Sequence, residues 1–248
     1  MGQCIAVVSG KGGTGKTSFT AGVGEALALS GRRVLCLDCD VGLRNLDLAL
    51  GLSDRALMDF SDVAQGRCSL DAAVGEHPQL PGLFLLTAPV RTRGRPVTEG
   101  QMADLLTEVR KRYDFCLLDA PAGLGGGFVL ATAAADRAVV VTTTDTSSLR
   151  DAQHTVMELD RFGSGKLHLV VNRVRRKMLR SMHATIDDAI DKAGLPLIGV
   201  VPEDDALLLS LNRGTPLLLS DGQGAAASAY RNIAKRLQGG KVPLLRIK

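Results

Sequence analysis

Nine residues near the N-terminus, SGKGGTGKT (residues 9–17), combine glycines with two lysines and hydroxyl side chains. Glycine lets the backbone turn its N–H groups toward phosphate oxygens, and a helix that begins here adds positive potential. Lys16 is then placed to reach the β- and γ-phosphates of a nucleotide, and Thr17 to bind Mg²⁺. The residues of this segment predicted to contact the nucleotide are Gly10, Lys11, Gly12, Gly13, Thr14, Gly15, Lys16, Thr17 and Ser18.

Lys11 is the unusual residue of this phosphate-binding loop. Lys16 alone is sufficient to hold the phosphates of the nucleotide bound by its own loop. Lys11 is therefore either a solvated surface lysine or a residue with a second task, and the spacing leaves both interpretations open.

Two carboxylates follow the second apolar run, in the sequence LDCDVGLRNLDLALGL. Asp38 and Asp40 share a face by the period of two along a strand, and ligands collect beyond the carboxyl ends of strands in α/β sheets. We therefore expect both to face the phosphates, one ordering water around Mg²⁺ and the other orienting the attacking water. The alternative is a pair of solvated loop aspartates. The motifs thus predict Lys16, Asp38 and Asp40 as catalytic residues, while the role of Lys11 stays open at this point.

A third chemical segment is FCLLDAPAG, an apolar run that ends in Asp119. This pattern is typical of the carboxylate that holds Mg²⁺ directly or through water. Gly123 is placed to offer its N–H to the γ-phosphate, and the following GLGGG predicts a mobile loop. The predicted magnesium-binding residues are Thr17, Asp38 and Asp119.

Seven short apolar runs, each near-continuous in Val, Leu and Ile, predict strands that are buried on both faces of a parallel sheet. They lie at residues 4–9, 33–38, 83–87, 115–119, 137–143, 167–172 and 197–201. Helical patterns at 16–30, 98–112, 147–162, 181–193 and 222–237 separate or follow them, and Thr98 and Gln101 have capping-box spacing. The alternation predicts one doubly wound α/β domain over residues 1–238, followed by a short basic and apolar tail, 239–248.

Composition excludes several classes of protein. The chain of 248 residues has 3% aromatic residues and no Trp, which disfavours stacking platforms for single-stranded nucleic acid. Its net charge of +4 permits an anionic partner without requiring one. The five cysteines show no disulfide framework, and Cys36 and Cys39 are expected on opposite faces of a strand. With no apolar run long enough for a membrane span and no signal-peptide pattern, we expect a cytoplasmic location.

Taken together, these motifs resemble the deviant Walker A ATPases of the MinD/ParA family, and most closely its septum-site-determining members. The resemblance covers nearly the whole chain and includes SGKGGTGKT, DVGLRNLDLALG, DAPAG, SSLRD, NRVR, VVPEDDALLLSLNRGTPL and AYRNIAKRL. GLRNLD is the most specific of these segments. The resemblance implies a doubly wound, mostly parallel sheet flanked by helices, the P-loop NTPase fold of the deviant Walker A (SIMIBI) type.

The resemblance also implies roles for individual residues. Members of the family form a dimer with ATP sandwiched between the subunits, in which the residue matching Lys11 crosses to the partner's nucleotide, as an arginine finger acts in trans. It implies that Asp40 is the switch residue for the hydrolytic water. Asn172 and Arg173, and the segment Pro202, Glu203 and Asp204, are implied contacts on the base side of ATP. The implied activity is slow, Mg²⁺-dependent ATP hydrolysis that dimerisation and a partner accelerate.

The implied function is an ATP-dependent cycle of dimerisation and membrane contact that positions the division septum by recruiting a MinC-like inhibitor. A MinE-like or DivIVA-linked topological factor and a weak anionic membrane contact at the inner face of the cell membrane remain open. Two departures from the family pattern, Ala120 and Gly125, affect the loop after Asp119. The basic segment RVRRKMLR (173–180) is either a solvated face or a site for an anionic partner.

Three other assignments compete with this one. A ParA-like ATPase that partitions DNA or another cargo would bind nucleic acid, and GLRNLD and the lack of an N-terminal DNA-binding extension disfavour it. An ATPase of the FlhG type usually has residues ahead of the loop. A non-hydrolytic Mrp-type scaffold for iron–sulfur clusters would need a C-x-x-C in the later half, where no Cys follows Cys116.

Overall fold

The computed structural model describes residues 1–53, 58–91, 95–163, 165–181 and 185–245. Its centre is a sheet of eight strands in the order β3-β4-β2-β5-β1-β6-β7-β8. The strands are β1 (Gln3–Val8), β2 (Val34–Asp38), β3 (Gly75–Glu76), β4 (Leu83–Leu86), β5 (Phe115–Asp119), β6 (Arg137–Thr142), β7 (Leu167–Val174) and β8 (Leu197–Pro202). The seven predicted apolar runs all form strands, and these pair in parallel.

The strand β3 is the element of the sheet that the sequence pattern missed. It pairs antiparallel with β4 over two residues, Gly75 with Leu85 and Glu76 with Phe84. A strand this short at a sheet edge carries no alternation or apolar run that a pattern search can detect.

Helices cover both faces of the sheet. They are α1 (Lys16–Leu29), α2 (Leu46–Ala49), α3 (Phe60–Ala64), α4 (Leu70–Ala73), α5 (Glu99–Arg112), α6 (Gly126–Ala133), α7 (Thr146–Met157), α8 (Arg176–Ser181), α9 (Ile186–Ala193), α10 (Asp205–Arg213), α11 (Leu217–Ser220) and α12 (Ala225–Leu237). The first core cluster joins one sheet face to α5, α6, α7 and α9, and the second joins the other face to α1, α11 and α12. The predicted fold class, a mostly parallel doubly wound sheet flanked by helices, is confirmed.

Local sequence signals explain where several helices begin. Thr98 and Gln101 form the predicted capping box at the start of α5. Asp145 caps α7 by accepting a hydrogen bond from the N–H of Ser148. Three predicted helices have different bounds. The pattern at 147–162 becomes α7 and a separate turn of 3₁₀ helix at Asp160–Phe162, and the pattern at 222–237 begins three residues later, as α12. In the described part of the pattern at 181–193, Ser181 ends α8 and Ile186–Ala193 form α9.

The cysteines lie where the sequence placed them. Cys36 belongs to the core on the α1 face, whereas Cys39, just past β2, belongs to the opposite core. Both thiols are free and buried, and burial raises the pKa of each. In the part of the chain that the structure describes, no three or more His, Cys, Asp or Glu side chains cluster as a metal site.

No helix among the described residues combines the length and apolar character that crossing a membrane requires. Residues 182–184 of the helical pattern at 181–193 and residues 246–248 of the tail lie outside the described residues.

Candidate nucleotide-binding site

The topology brings the three chemical segments together at one edge of the sheet. β1 lies between β5 and β6, and β5 lies between β1 and β2. The loop that follows β1 therefore sits beside the ends of β5 and β2. Asp38 and Asp119 are register partners on these last two strands, so the two predicted carboxylates are neighbours.

Backbone geometry explains two glycines of the phosphate-binding loop. Gly15 has φ 89°, and a Cβ there would lie 2.3 Å from the side-chain nitrogen of Asn172. At Gly10, a Cβ would lie 2.5 Å from the carbonyl oxygen of Asp151 on α7. A side chain at either position would push the loop away from β7 or α7. The loop thus depends on glycine both for its turn and for close packing.

Lys16 is held inside the loop. Its side chain is buried, and its Nζ donates a hydrogen bond to Ser9 Oγ at 2.8 Å. Ser9 Oγ in turn donates to the carbonyl of Lys11 at 2.7 Å. Burial lowers the pKa of Lys16, while the negative charges of Asp119 and Asp40 oppose that effect. The ammonium group is thus desolvated inside the loop, with the carboxylates of Asp119 and Asp40 as its charged neighbours.

Burial raises the pKa of both strand-end carboxyls. It brings the pKa of Asp119 to about 7, against hydrogen bonds from Thr17 and Thr20 that lower it. It brings the pKa of Asp38 to about 6, against backbone N–H donors that lower it. Adjacent buried carboxylates beside a threonine hydroxyl form a hard oxygen donor set, which suits Mg²⁺. The residues predicted for the metal, Thr17, Asp38 and Asp119, thus fit that ion.

Asp38 also shapes the segment that follows β2, here called switch I (residues 39–45). Its Oδ1 accepts the N–H of Asp40 at 2.8 Å, and its Oδ2 accepts the N–H of Leu46 at 3.2 Å. Asp40 itself is less buried, with Lys16 as its charged neighbour. The structure therefore brings Asp40 to the mouth of the site and gives Asp38 a role in holding the backbone that presents it.

Gly123 follows β5 in the segment here called switch II (residues 120–126). It has φ 82°, which favours glycine, and its N–H donates to the carbonyl of Ser9 at 3.2 Å. The N–H predicted for the γ-phosphate is therefore bonded to the phosphate-binding loop itself. Contact with a phosphate would require the loop and switch II to separate.

The Lys11 side chain is held by residues at the start of α7. Its Nζ lies 3.2 Å from Asp145 Oδ1 and donates to Ser147 Oγ at 2.8 Å, and both partners are at the start of α7. Burial alone would raise the pKa of Asp145, but hydrogen bonds from Thr143, Ser148 and Ser147 hold it well below its usual range. Asp145 is thus a fixed anion that holds Lys11.

The predicted base-side residues line a small cavity of about 100 Å³ next to Gly15 and Ser18, together with leucines of α10. Asn172 Nδ2 donates to the carbonyl of Thr14 at 2.8 Å. Arg173, which has φ 54°, donates to the carbonyl of Gly13 at 3.0 Å. The end of β7 therefore holds the outer side of the phosphate-binding loop.

The other base-side residues follow β8. Pro202 is its last residue, and the Glu203 carboxylate pairs with Arg175. Asp204 accepts the N–H groups of Ala206 and Ala226, each at 3.0 Å. These bonds join the starts of α10 and α12, so Asp204 supports the cavity through the backbone around it.

Sequence reasoning did not predict the contacts that four residues make in the site, although Ser9 and Ser147 belong to segments that it singled out. Ser9 holds Lys16, Asp145 and Ser147 hold Lys11, and Thr20 contacts Asp119 at 3.4 Å. Ser9 begins the motif and Thr20 lies three residues after it, so both were open to detection from their spacing. Asp145 lies 134 residues from Lys11 in the sequence, and only the fold joins them.

A phosphate-binding loop that opens α1, a buried lysine beneath it and acidic strand ends beside it define a P-loop nucleotide-binding protein. The family model "CobQ/CobB/MinD/ParA nucleotide binding domain" matches residues 5–217. The septum site-determining protein MinD of Synechocystis is 39% identical over 246 residues, which are 99% of this chain and 92% of that protein.

Two solved structures extend the comparison. The MinC:MinD cell division protein complex of Aquifex aeolicus matches with a TM-score of 0.90 and 35% identity, covering 98% of both chains. MinD of Pyrococcus horikoshii, complexed with Mg-ADP, matches with a TM-score of 0.83 and 30% identity, covering 96% of both chains. The chain therefore belongs to the MinD family of cell-division ATPases. The predicted family and ATPase class are confirmed.

Proposed function

We propose that this protein is an ATP-operated dimerisation switch, in which Lys11 of one subunit acts on the nucleotide bound by the other. One observation carries the proposal. Both lysines belong to the phosphate-binding loop, but the Lys16 side chain is buried and bonded to Ser9, while the Lys11 side chain is 37% exposed and paired with Asp145. A lysine held at the mouth of the site by a surface ion pair is available to a second subunit.

The chain's own residues divide the work of hydrolysis. Backbone N–H groups of the loop and Lys16 bind the phosphates, and Mg²⁺, when bound by Thr17, Asp119 and Asp38, supplies charge neutralisation. Asp40 orients the attacking water, because it is more exposed than Asp38 at the end of β2 and lies near Lys16. Lys11 of the partner supplies the last positive charge, so the rate depends on dimerisation.

Asn172, Arg173 and residues 202–204 position the base side of ATP. The cavity that they line adjoins Gly15 and Ser18 of the loop, which supports this assignment. Because Asn172 and Arg173 also bond to loop carbonyls, occupation of this cavity and the shape of the loop are coupled.

The ATP state then controls partners. The Aquifex relative forms a MinC:MinD complex, and we assign a MinC-like division inhibitor to this chain as well. The surface formed by residues 147–151 on α7 suits this task, since Ser147 contacts Lys11 directly. A MinE-like or DivIVA-linked factor would determine where in the cell this ATP-dependent cycle takes place. The protein would act in the cytoplasm as a single ATPase domain, with its tail, 239–248, making peripheral contact with the inner face of the membrane.

The concentration dependence of hydrolysis tests this proposal. The ATPase rate per molecule should rise with protein concentration, because each site is completed by a second subunit. A MinC homologue should co-sediment with the protein when a nonhydrolysable ATP analogue is present and not with ADP. A rate per molecule that is independent of concentration across the dimerisation range would contradict the proposal.

A salt titration of DNA binding distinguishes the proposed switch from the ParA-like alternative. Nonspecific DNA binding through basic residues falls steeply as salt increases. Absence of DNA binding at low salt, together with nucleotide-dependent MinC binding, is the result expected here.

A further inference from the structure

The sheet edge opposite the nucleotide site carries a cavity of about 460 Å³. The starts of β1, β5 and β6 form its floor, and the end of α12 forms a wall. Three arginines line it: Arg32 from the turn after α1, Arg137 at the start of β6, and Arg236 on α12. The functions proposed above use none of the three.

These arginines lack a carboxylate counter-ion among the residues that the structure describes. The ion pairs among the described residues do not include Arg32, Arg137 or Arg236. Arg110, a comparably buried arginine nearby, is instead paired with Asp136 at 3.0 Å. Asp114 is the one acidic residue lining the cavity, and it accepts the backbone N–H of Arg33 at 2.9 Å. The cavity therefore has an excess of positive charge, and none of its three arginines is ion-paired among the described residues.

Burial makes the charges of two of these arginines costly to maintain. It lowers the pKa of Arg137 and of Arg236, because neither guanidinium has a negative group to offset its desolvation. Removing a charged group from water costs free energy unless an opposite charge or hydrogen bonds replace the water. An anion in the cavity would offset this cost.

Neutral groups of the chain hold the guanidiniums in place. Arg236 donates to the carbonyl of Val242 at 2.7 Å and 3.1 Å, and also to the carbonyl of Ile198. Arg137 donates to the carbonyl of Leu237 at 3.2 Å. Arg32 Nε donates to Gln238 Oε1 at 2.9 Å. Each guanidinium has five N–H donors, so donors remain for a ligand while the bonds to the chain fix the geometry.

We infer that this cavity binds a phosphate oxyanion through Arg32, Arg137 and Arg236. The planar fork of arginine matches the oxygens of phosphate, and several arginines around one concave site favour a phosphate group over a single carboxylate. Two sources supply such a group, free phosphate and the headgroup of an anionic lipid. The second source is relevant because the cavity includes Gly239, where the C-terminal tail begins.

Calorimetric titration of inorganic phosphate into the Mg-ADP-saturated protein, at constant ionic strength, tests the site. Wild-type protein should bind phosphate saturably. The Arg137→Gln variant should bind it at least tenfold more weakly, and Arg32→Gln, which alters an exposed residue with one side-chain bond, at least threefold more weakly. Arg67→Gln is the matched control, since Arg67 is an exposed arginine paired with Asp62 and lines no part of this cavity.

Unchanged Mg-ADP affinity in each variant shows that it is folded. Phosphate binding that is non-saturable in the wild type, or equal in wild type and Arg32→Gln, overturns the inference. Flotation with phosphatidylglycerol vesicles then identifies the source. Reduced flotation of Arg32→Gln, with competition by phosphate in the wild type, upholds the site and assigns a lipid headgroup. Unaltered flotation alongside weakened phosphate titration upholds the site and assigns free phosphate.

Discussion

Lys11 Nζ lies 3.2 Å from Asp145 Oδ1 of the same chain. The two side chains are 37% and 48% exposed, so water screens their attraction, and a surface pair of this kind contributes about 0–1 kcal/mol. An interaction of this size holds Lys11 in a resting position without preventing it from reaching a second subunit. Separating Lys11 from Asp145 therefore costs little free energy when a dimer forms.

Replacing Asp145 with Asn tests that resting position. Asn is also a good helix N-cap, so α7 should keep its start while the ion pair is lost. ATP-dependent dimerisation should strengthen by up to about fivefold, the equivalent of about 1 kcal/mol. Sedimentation velocity with a nonhydrolysable ATP analogue measures this, and Asp160→Asn, at an exposed position beyond α7, is the control. Weaker dimers in Asp145→Asn would mean that the pair supports the dimer instead.

Asp40→Ala should separate dimerisation from hydrolysis. The Asp38 carboxylate, Thr17 and Lys16 remain in place, but the water loses the group that orients it. The variant should dimerise with ATP and remain dimeric, while wild-type dimers decay as ATP is consumed. Hydrolysis at the wild-type rate would show that Asp38 or a backbone carbonyl, and not Asp40, orients the attacking water.

The buried side chain of Glu25 should make the stability of the folded chain depend on pH. It lies buried on α1, and its Oε2 accepts the N–H of Leu218, at the start of α11, at 2.9 Å. Burial raises its pKa from 4.5 to about 7, so the folded chain binds the proton more tightly than the unfolded chain. This contribution to stability is fully present below pH 4.5 and is lost as the pH rises through about 7.

The Glu25→Gln variant should therefore gain stability relative to wild type as the pH rises. Near pH 4.5 the two should be similar, and above pH 7 the variant should be more stable by about 3 kcal/mol. Urea unfolding at pH 5 and pH 8.5 measures the difference, with the exposed residue Glu158, changed to Gln, as control. A constant difference at both pH values would show that Glu25 does not titrate in this range.

Deleting residues 241–248 tests the tail as a membrane contact. Arg236 holds the carbonyl of Val242, and Leu245 packs against the core, while Leu244 is 47% exposed. Part of the apolar surface of the tail is thus already buried, and one tail should not hold a monomer on lipid. A dimer presents two tails, and the second binds at high effective concentration. We expect weak flotation with anionic liposomes that needs ATP and the tail. Equal flotation of full-length and truncated protein, with ATP and with ADP, would exclude the tail as an anchor.

Much of the fold follows from local sequence signals. Apolar runs without alternation identified the parallel strands, and Thr98 with Gln101 identified the start of α5. The phosphate-binding loop was predictable because its glycines and Lys16 act within a few residues of one another. The predicted carboxylates meet because parallel strands end at the same edge, as the pairing of Asp38 with Asp119 shows.

The remaining features depend on contacts between distant segments. Nothing near Lys11 in the sequence indicates that it rests on Asp145, and nothing near Gly123 indicates that its N–H is bonded to Ser9. Likewise, Asp204 matched a base-side motif, but its two oxygens join α10 to α12. Such roles are set by packing, which a linear pattern does not contain.

The central claim, that Lys11 acts in trans, is tested most directly by Lys11→Ala in light scattering with a nonhydrolysable ATP analogue. Lys111→Ala, at an exposed lysine of α5 paired with Glu108, is the matched control. The Lys11 variant should bind nucleotide nearly as wild type does, fail to form ATP-dependent dimers, and lose turnover by up to about 10³–10⁵-fold. Normal ATP-dependent dimers and normal turnover in Lys11→Ala would contradict the account.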